Sequence, residues 1–251
     1  MLNLIFCIDN SGLFGRNNKL IWNFKEDLKY FRDVTVNFDK VENIDNIILM
    51  GYNTWISLPF KLPNRTNVVI SKCNNLKKTK VLPDYTFNSI ESFLEECKKD
   101  KKFYKTPIFV IGGKKLLTSI IIKYYKFIKY IFISVVHHSF PQYLDDTIFQ
   151  ISNFENLNLK KTSTRIINCF NHTDNRLYDI QFNKFLNQNY IENEHFSFIE
   201  SVNNISSIKN NLCKSNYTDV YTNIDENESN KCNNCNQCND CLIQKCKYLF
   251  C

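Results

Sequence analysis

The chain has 251 residues, 43% hydrophobic and 14% aromatic, enough for one large core or for a domain with an appendage. Its net charge of +7 comes from Lys scattered among Asn and Ile, not from an Arg-rich cluster or an aromatic-interleaved basic stripe, so no nucleic-acid partner is expected. The longest apolar region, Leu116 to Val136, carries Lys123, Lys126 and Lys129, which argues against a membrane span.

Leu2 to Ile8 is a continuous apolar run, the pattern of a buried strand, and stops at the turn cluster Asp9-Asn10-Ser11-Gly12. It lacks the basic start and cleavage site of an export leader. A cytoplasmic protein is therefore expected, its eleven Cys residues reduced or metal-bound rather than in disulfides. A polar loop through Gly15, Asn17 and Asn18 leads to Trp22. Phe24, Leu28 and Phe31 then follow at helical spacing, predicting a helix with a buried stripe that fades near Val36, and Asn23 with Glu26 has the spacing of a capping box. Asp27 lies on the same face as that stripe. A carboxylate there is costly unless something polar pairs with it, the plain alternative being a first-turn acid favoured by the helix dipole.

Ile47 to Met50 reads as a strand stopped by Gly51, after which Asn53 or Thr54 would cap a short helix through Leu58. Pro59 and Pro63 bracket a loop that delivers Arg65, and Asn67 to Ser71 is another buried strand. Val81 and Leu82 suggest a minor strand, and Ser89 to Lys98 a helix capped by Ser89. Ile108 to Ile111 runs into Gly112-Gly113, followed by a helix over Lys114 to Tyr125 and a strand over Tyr130 to Val136. Leu157 to Ile166 and Arg176 to Phe182 alternate as an antiparallel hairpin. Strands alternating with helices up to Tyr130 predict an α/β fold with a largely parallel sheet, closed by antiparallel strands near Leu186. Residues 187–251 have no Gly or Pro, five Lys against eight acids, and much Asn and Ser, predicting a poorly ordered extension beyond a 1–186 domain.

Two strand-to-helix junctions carry glycine, Met50-Gly51 and Ile111-Gly112-Gly113, the second followed by Lys114 and Lys115. Glycine lets a backbone approach a ligand closely, and free N–H groups at a helix start favour phosphate. A dinucleotide would be held there rather than by a GxGxxG turn, which is missing after the first strand. In the extension, Cys232, Cys235, Cys238 and Cys241 have a CxxC spacing that could hold tetrahedral zinc. Iron–sulfur ligation and a low-complexity repeat without a metal are the alternatives.

Taken in order, these pieces resemble dihydrofolate reductase over Met1 to Leu186. They are the first strand with its Gly15 and Trp22 loop, then Trp22 with Asp27, Leu28 and Phe31, then Met50-Gly51-Tyr52-Asn53-Thr54-Trp55. Leu62-Pro63-Asn64-Arg65, Ile70-Ser71, Val110-Ile111-Gly112-Gly113 and Asp146-Thr147 complete them. The resemblance implies a mixed, mostly parallel eight-stranded sheet flanked by helices. It also implies a monomer that uses NADPH to reduce 7,8-dihydrofolate, with hydride going to C6 and a proton to N5.

It further implies that Asp27 binds the pterin amidine edge, that Trp22 orders a water there, with Leu20 counted among the catalytic residues, and that Ser134 sits behind. Ile5, Cys7 and Ile111 would line the pterin, Leu28, Phe31 and Leu58 the aminobenzoyl ring, and Arg65 would hold the glutamate. The cofactor would meet Cys7, the loop residues Leu13, Phe14, Gly15, Asn18 and Lys19, and Asn53, Thr54, Ser71 and Lys72. Gly112, Gly113, Lys114, Lys115, Leu116 and Thr147 would complete its site.

Several residues depart from the family's pattern. Ile21 stands in place of proline, Tyr52 and Asn53 in place of basic residues, Leu117 at a customary tyrosine and Asp145 at a small residue, which together suggest a divergent, slow enzyme. Two other readings are a pyrimidine reductase of riboflavin synthesis on the same fold, and a degenerate folate-binding scaffold whose working part is a metal-binding tail. Asp27 and Arg65 argue against the first, and the retained Trp22, Thr54 and Gly112-Gly113 against the second.

Overall fold

The computed structural model describes residues 1–72, 81–100, 103, 106–149, 154 and 157–191. The first strand, β1 (Leu2–Asp9), is buried at every position, which is why it reads as an unbroken apolar run rather than an alternating one. It lies between two parallel neighbours, β6 (Ile108–Gly112) and β7 (Ile128–Val136). Beyond β6 come β3 (Ile47–Gly51), β4 (Thr66–Ile70) and β5 (Tyr85–Phe87), also parallel. On the other side the hairpin of β9 (Leu159–Asn171) and β10 (Arg176–Asn187) closes the sheet, with β10 antiparallel to β7. The order β5-β4-β3-β6-β1-β7-β10-β9 is the mixed, mostly parallel eight-stranded sheet expected. A separate ribbon pairs β2 (Leu13–Arg16) with β8 (Asp146–Ile148).

The helices are α1 (Lys25–Asn37), α2 (Tyr52–Ser57), α3 (Ile90–Lys99) and α4 (Lys114–Lys123). Ser89 caps α3 as expected, in a reciprocal capping box with Ser92. The expected Asn23–Glu26 box on α1 is corrected, because the N-cap is Phe24 and no side chain caps it. Asn23 is engaged elsewhere: its N–H donates to Asn171 Oδ1 (2.9 Å) and its carbonyl accepts from His172 N–H (3.0 Å). The β9–β10 turn, remote in sequence, thus sets the entry to α1. At the other end, Asn46 Nδ2 donates to the carbonyls of Thr35, Val36 and Phe38 (3.2, 3.4 and 3.1 Å), satisfying a helix terminus that Asn46's own segment does not belong to.

Three further readings are corrected. Asn53 and Thr54 lie inside the first turn of α2, whose N-cap is Gly51, and do not cap it. The minor strand is Tyr85–Phe87 rather than Val81–Leu82, because Asp84 and Asn67 exchange hydrogen bonds that begin the pairing one residue before Tyr85. The polar loop after β1 contains β2, whose partner lies some 130 residues away and is too short to show a pattern.

Two apolar clusters meet at the carboxyl end of β1. Ile5, Ile48, Met50, Trp55, Val69, Phe109 and Phe132 form one, and Cys7, Trp22, Phe24, Val136, Cys169, Tyr178, Ile180 and Phe182 the other. Ile5 and Cys7 share one face of β1, so the seam between the clusters crosses that face. No helix among the described residues is long and apolar enough to cross a membrane. Cys232, Cys235, Cys238 and Cys241 lie outside the described residues.

Candidate active site

In open α/β sheets ligands sit at the carboxyl ends of the strands, and of the expected site residues Cys7, Ser134, Ser71, Gly112 and Gly113 lie toward those ends, whereas Arg65 stands just before β4, at its amino end. Cys7 of β1 is in register with Ser134 of β7, and both are buried. Their side chains approach Asp27 from the sheet while α1 brings it from above. Asp27 is 8% exposed. Burial pushes its carboxyl up, and the Ser134 hydroxyl and the Cys7 thiol, both donating toward it, offset part of that. Burial and the neighbouring Asp27 push the Cys7 thiol well above its ordinary range, so it stays protonated. The phenol of Tyr30, one turn along α1, is likewise pushed up to about 12, first by burial.

Trp22 is buried, and its indole N–H approaches Cys7 without a hydrogen bond of normal geometry. A buried donor left open beside a buried acid suits an ordered water or a polar ligand atom. Leu20 is half-exposed and lies outside this buried centre.

Along α1 the buried residues are Asp27 and Thr35, with Phe31 and Val34 half-buried and Leu28 50% exposed. The stripe is therefore narrower than expected, and Leu28 faces solvent rather than core. Phe31, Leu58 and Ile111 pack against the cluster that contains Ile5. Arg65 is 6% exposed, its Nε donating to the Pro63 carbonyl (2.9 Å) and one terminal nitrogen to Thr35 Oγ1 (3.0 Å). Its guanidinium lies 5.8 Å from the Phe31 ring centroid. Burial, and then Arg32, lower its pKa, and no acid among the described residues balances it. Such a group is poised for an anion.

The two glycine junctions meet across the sheet, Met50 pairing with Gly112. An added Cβ on Gly112 (φ +153°) would come 3.0 Å from Thr54 Oγ1 and 3.8 Å from Phe14, and one on Gly51 would come 3.7 Å from the Gly113 nitrogen. Gly113 is the N-cap of α4 with no side-chain cap, and Lys114, Lys115 and Leu116 make up the first turn of that helix. Ser71 and Lys72 follow the end of β4, next to Gly51, with Ser71 buried and Lys72 exposed; half-buried Asn53 lies in the first turn of α2. These features form a glycine-lined cradle between the starts of α2 and α4.

The Leu13–Leu20 segment is ordered by the ribbon. Leu13, Gly15 and Arg16 pair with Ile148, Thr147 and Asp146, and Arg16 and Lys19 close a tight turn over Asn17 and Asn18, both at positive φ. Sequence reasoning missed what holds it. Arg16 donates twice to Asp146 (2.5 and 3.0 Å), and Asp9 accepts from Leu13 and Phe140. Asp9-x-Ser11 was the available signal, since an acid bonding two residues ahead makes an Asx turn.

A family model described as dihydrofolate reductase matches residues 1–185. Dihydrofolate reductase of Ureaplasma parvum serovar 3 is 32% identical over 162 residues, covering 64% of this chain and 88% of the relative. That of Bacillus subtilis is 28% identical over 146 residues, covering 56% and 71%. Among solved structures, dihydrofolate reductase from Enterococcus faecalis complexed with NADP(H) and RAB-propyl superposes with a TM-score of 0.56 at 20% identity, covering 75% of this chain and 96% of that one.

Proposed function

This chain belongs to the dihydrofolate reductase family, and on that premise we propose that it reduces 7,8-dihydrofolate to tetrahydrofolate with NADPH. The observation that carries the substrate is the pairing of groups on one face of α1. Asp27 stands at one end and Thr35, which holds Arg65, eight residues later, about 12 Å along the axis. A buried acid, an apolar stretch with Phe31 and Leu58, and a buried cation without an acid partner among the described residues match a pterin head, an aromatic ring and a carboxylate tail.

The cradle fits the cofactor on an observation of its own. A Cβ on Gly112 would crowd Thr54, at 3.0 Å from its Oγ1 and at φ +153°, and Gly113 begins α4 without a side-chain cap beside Lys114. NADPH, when bound, supplies the hydride that pterin C6 accepts. Asp27 binds the amidine edge of the pterin and, through water, favours protonation of N5. The open N–H of Trp22 orients that water. Ser134 and Cys7 fix the carboxylate from below, Arg65 forks onto the substrate carboxylate, and the Leu13–Leu20 segment excludes solvent. We further read the protein as a cytoplasmic monomer; Cys7, Cys97 and Cys169 are free thiols, as a reducing compartment keeps them.

Oxidation of NADPH by purified full-length protein, with and without dihydrofolate, tests the reading. Dihydrofolate-dependent oxidation, largely lost in Asp27→Asn near neutral pH, is expected. Methotrexate binding without turnover would reduce the protein to a folate-binding module, and neither binding nor turnover would overturn the proposal.

A further inference from the structure

We infer that Asp9 is a positioning residue for this reaction: its buried carboxylate fastens the two segments that hold Trp22 at the Asp27 end of α1. The inference rests on the reductase reading above. Asp9 ends β1 and is 1% exposed. Its Oδ1 accepts from Ser11 N–H (2.8 Å), the Ser11 hydroxyl (2.7 Å) and Leu13 N–H (2.8 Å), and its Oδ2 accepts from Phe140 N–H (2.9 Å). One oxygen thus holds the start of the Leu13–Leu20 segment, and the other holds the segment that follows β7.

The Phe140 ring lies 5.6 Å from Trp22 and 5.5 Å from Tyr178, and Tyr178 meets Phe24 edge-on at 5.9 Å. Phe24 is the N-cap of the helix that carries Asp27. Trp22, Phe140, Tyr178 and Phe24 therefore form a continuous aromatic row from the open indole N–H to the start of α1. Asp9 anchors the backbone of its second member.

The same two segments are joined again further out, where Arg16 donates to Asp146 and to the Pro141 carbonyl (2.7 Å). The Arg16 side chain there is 27% exposed, so water and salt weaken that clamp. Asp9 itself is 1% exposed, so its four hydrogen bonds are better shielded from both. An amide cannot replace the carboxylate. With its carbonyl toward the three Oδ1 donors, an Asn would turn its NH2 against the Phe140 N–H, donor against donor.

The test compares Asp9→Asn and Phe140→Leu, each in full-length protein carrying Trp55→Phe, which leaves Trp22 as the sole tryptophan of the two in the chain. Both variants should shift Trp22 emission to longer wavelength. Both should lower kcat for dihydrofolate reduction roughly 10- to 100-fold, as expected when a reacting group is misplaced by a fraction of an ångström to an ångström. KM for dihydrofolate should change far less. If Asp9→Asn lowers Tm but leaves emission and kcat at the Trp55→Phe values, Asp9 is merely structural and the inference is overturned. Should Asp9→Asn fail to fold, Phe140→Leu keeps the carboxylate and carries the same readouts, and unchanged emission and kcat there overturn it equally. A Trp55→Phe parent that binds neither NADPH nor dihydrofolate would count against the reductase reading, while the emission shift would still decide whether Asp9 anchors Trp22.

Discussion

Replacing Asp27 by Asn should disable the enzyme while removing a pH-dependent burden on the fold, and stability measured against pH separates the two effects. Burial pushes the Asp27 carboxyl up, the Ser134 and Cys7 donors offsetting only part of the rise. In the unfolded chain the same group titrates at about 3.9. Below that pH both states hold the proton, and the group makes no difference to stability. As pH rises past it, the unfolded chain ionises first while the native state keeps its proton, so folding becomes less favourable. The loss ends once pH exceeds the raised native value, and every pH unit crossed in between costs about 1.4 kcal/mol. Asn has no such proton to lose. The stability of Asp27→Asn relative to wild type should therefore climb from weakly acid pH by at most about 1.4 kcal/mol per pH unit and then level off. Urea unfolding of both full-length proteins at a series of pH values measures that gap, and constant offsets such as altered packing cancel from its slope. The rate of dihydrofolate reduction near neutral pH should fall about 10²- to 10⁴-fold. A gap that stays flat, or that shrinks as pH rises, would refute the description of Asp27 as an acid whose carboxyl is pushed up by burial.

Arg65→Met should raise KM for dihydrofolate about 10- to 150-fold, the worth of hydrogen bonds to a charged group, with kcat nearly unchanged. Steady-state kinetics with a substrate lacking the glutamate should show no such penalty, and an equal loss on both substrates would place Arg65 elsewhere. Gly112→Ala puts a Cβ 3.0 Å from Thr54 Oγ1 at φ +153°, whereas one on Gly113 would stand 3.5 Å away. NADPH titration should accordingly show the larger loss of affinity for Gly112→Ala, and the reverse order would mean that the cradle is not the cofactor site. Burial pushes the Cys97 thiol up to about 12 and Cys169 up to about 11, with Cys7 also well above its usual range. Iodoacetamide near neutral pH should leave these three unlabelled in native protein and label them in urea, as peptide mass mapping would read; rapid labelling of native Cys7 would show the acid pocket opening to solvent.

Much of the candidate site was legible because its signals are local. An acid at helical spacing among Phe24, Leu28 and Phe31 identified Asp27, although the stripe proved narrower and Leu28 turned outward. Two apolar runs ending in glycine announced the cradle, and an unbroken run from Leu2 to Ile8 announced a central strand buried on both faces. The extra ribbon strands and the entry to α1 were not legible, because each depends on a partner far away in the chain. Asn23 has the chemistry of a cap, yet Asn171 and His172 claim its backbone.

The sequence by itself determined which strands are buried and most of the residues that turn inward, Leu28 excepted, since apolar period and turn chemistry act over a few positions at a time. It also marked Asp27 as an acid that needs a polar partner, and placed Arg65 just after the loop bracketed by Pro59 and Pro63. Only the closed sheet decided which of them meet. Setting β7 beside β1 put Ser134 next to Cys7 beneath the acid, and the Pro63 loop brought Arg65 to Thr35. The segment after β7 carried Phe140 back to Asp9. Those pairings join residues 30 to 131 positions apart. No periodic pattern encodes them, because each forms only when strand order and register bring two distant donors and acceptors into the same dry space.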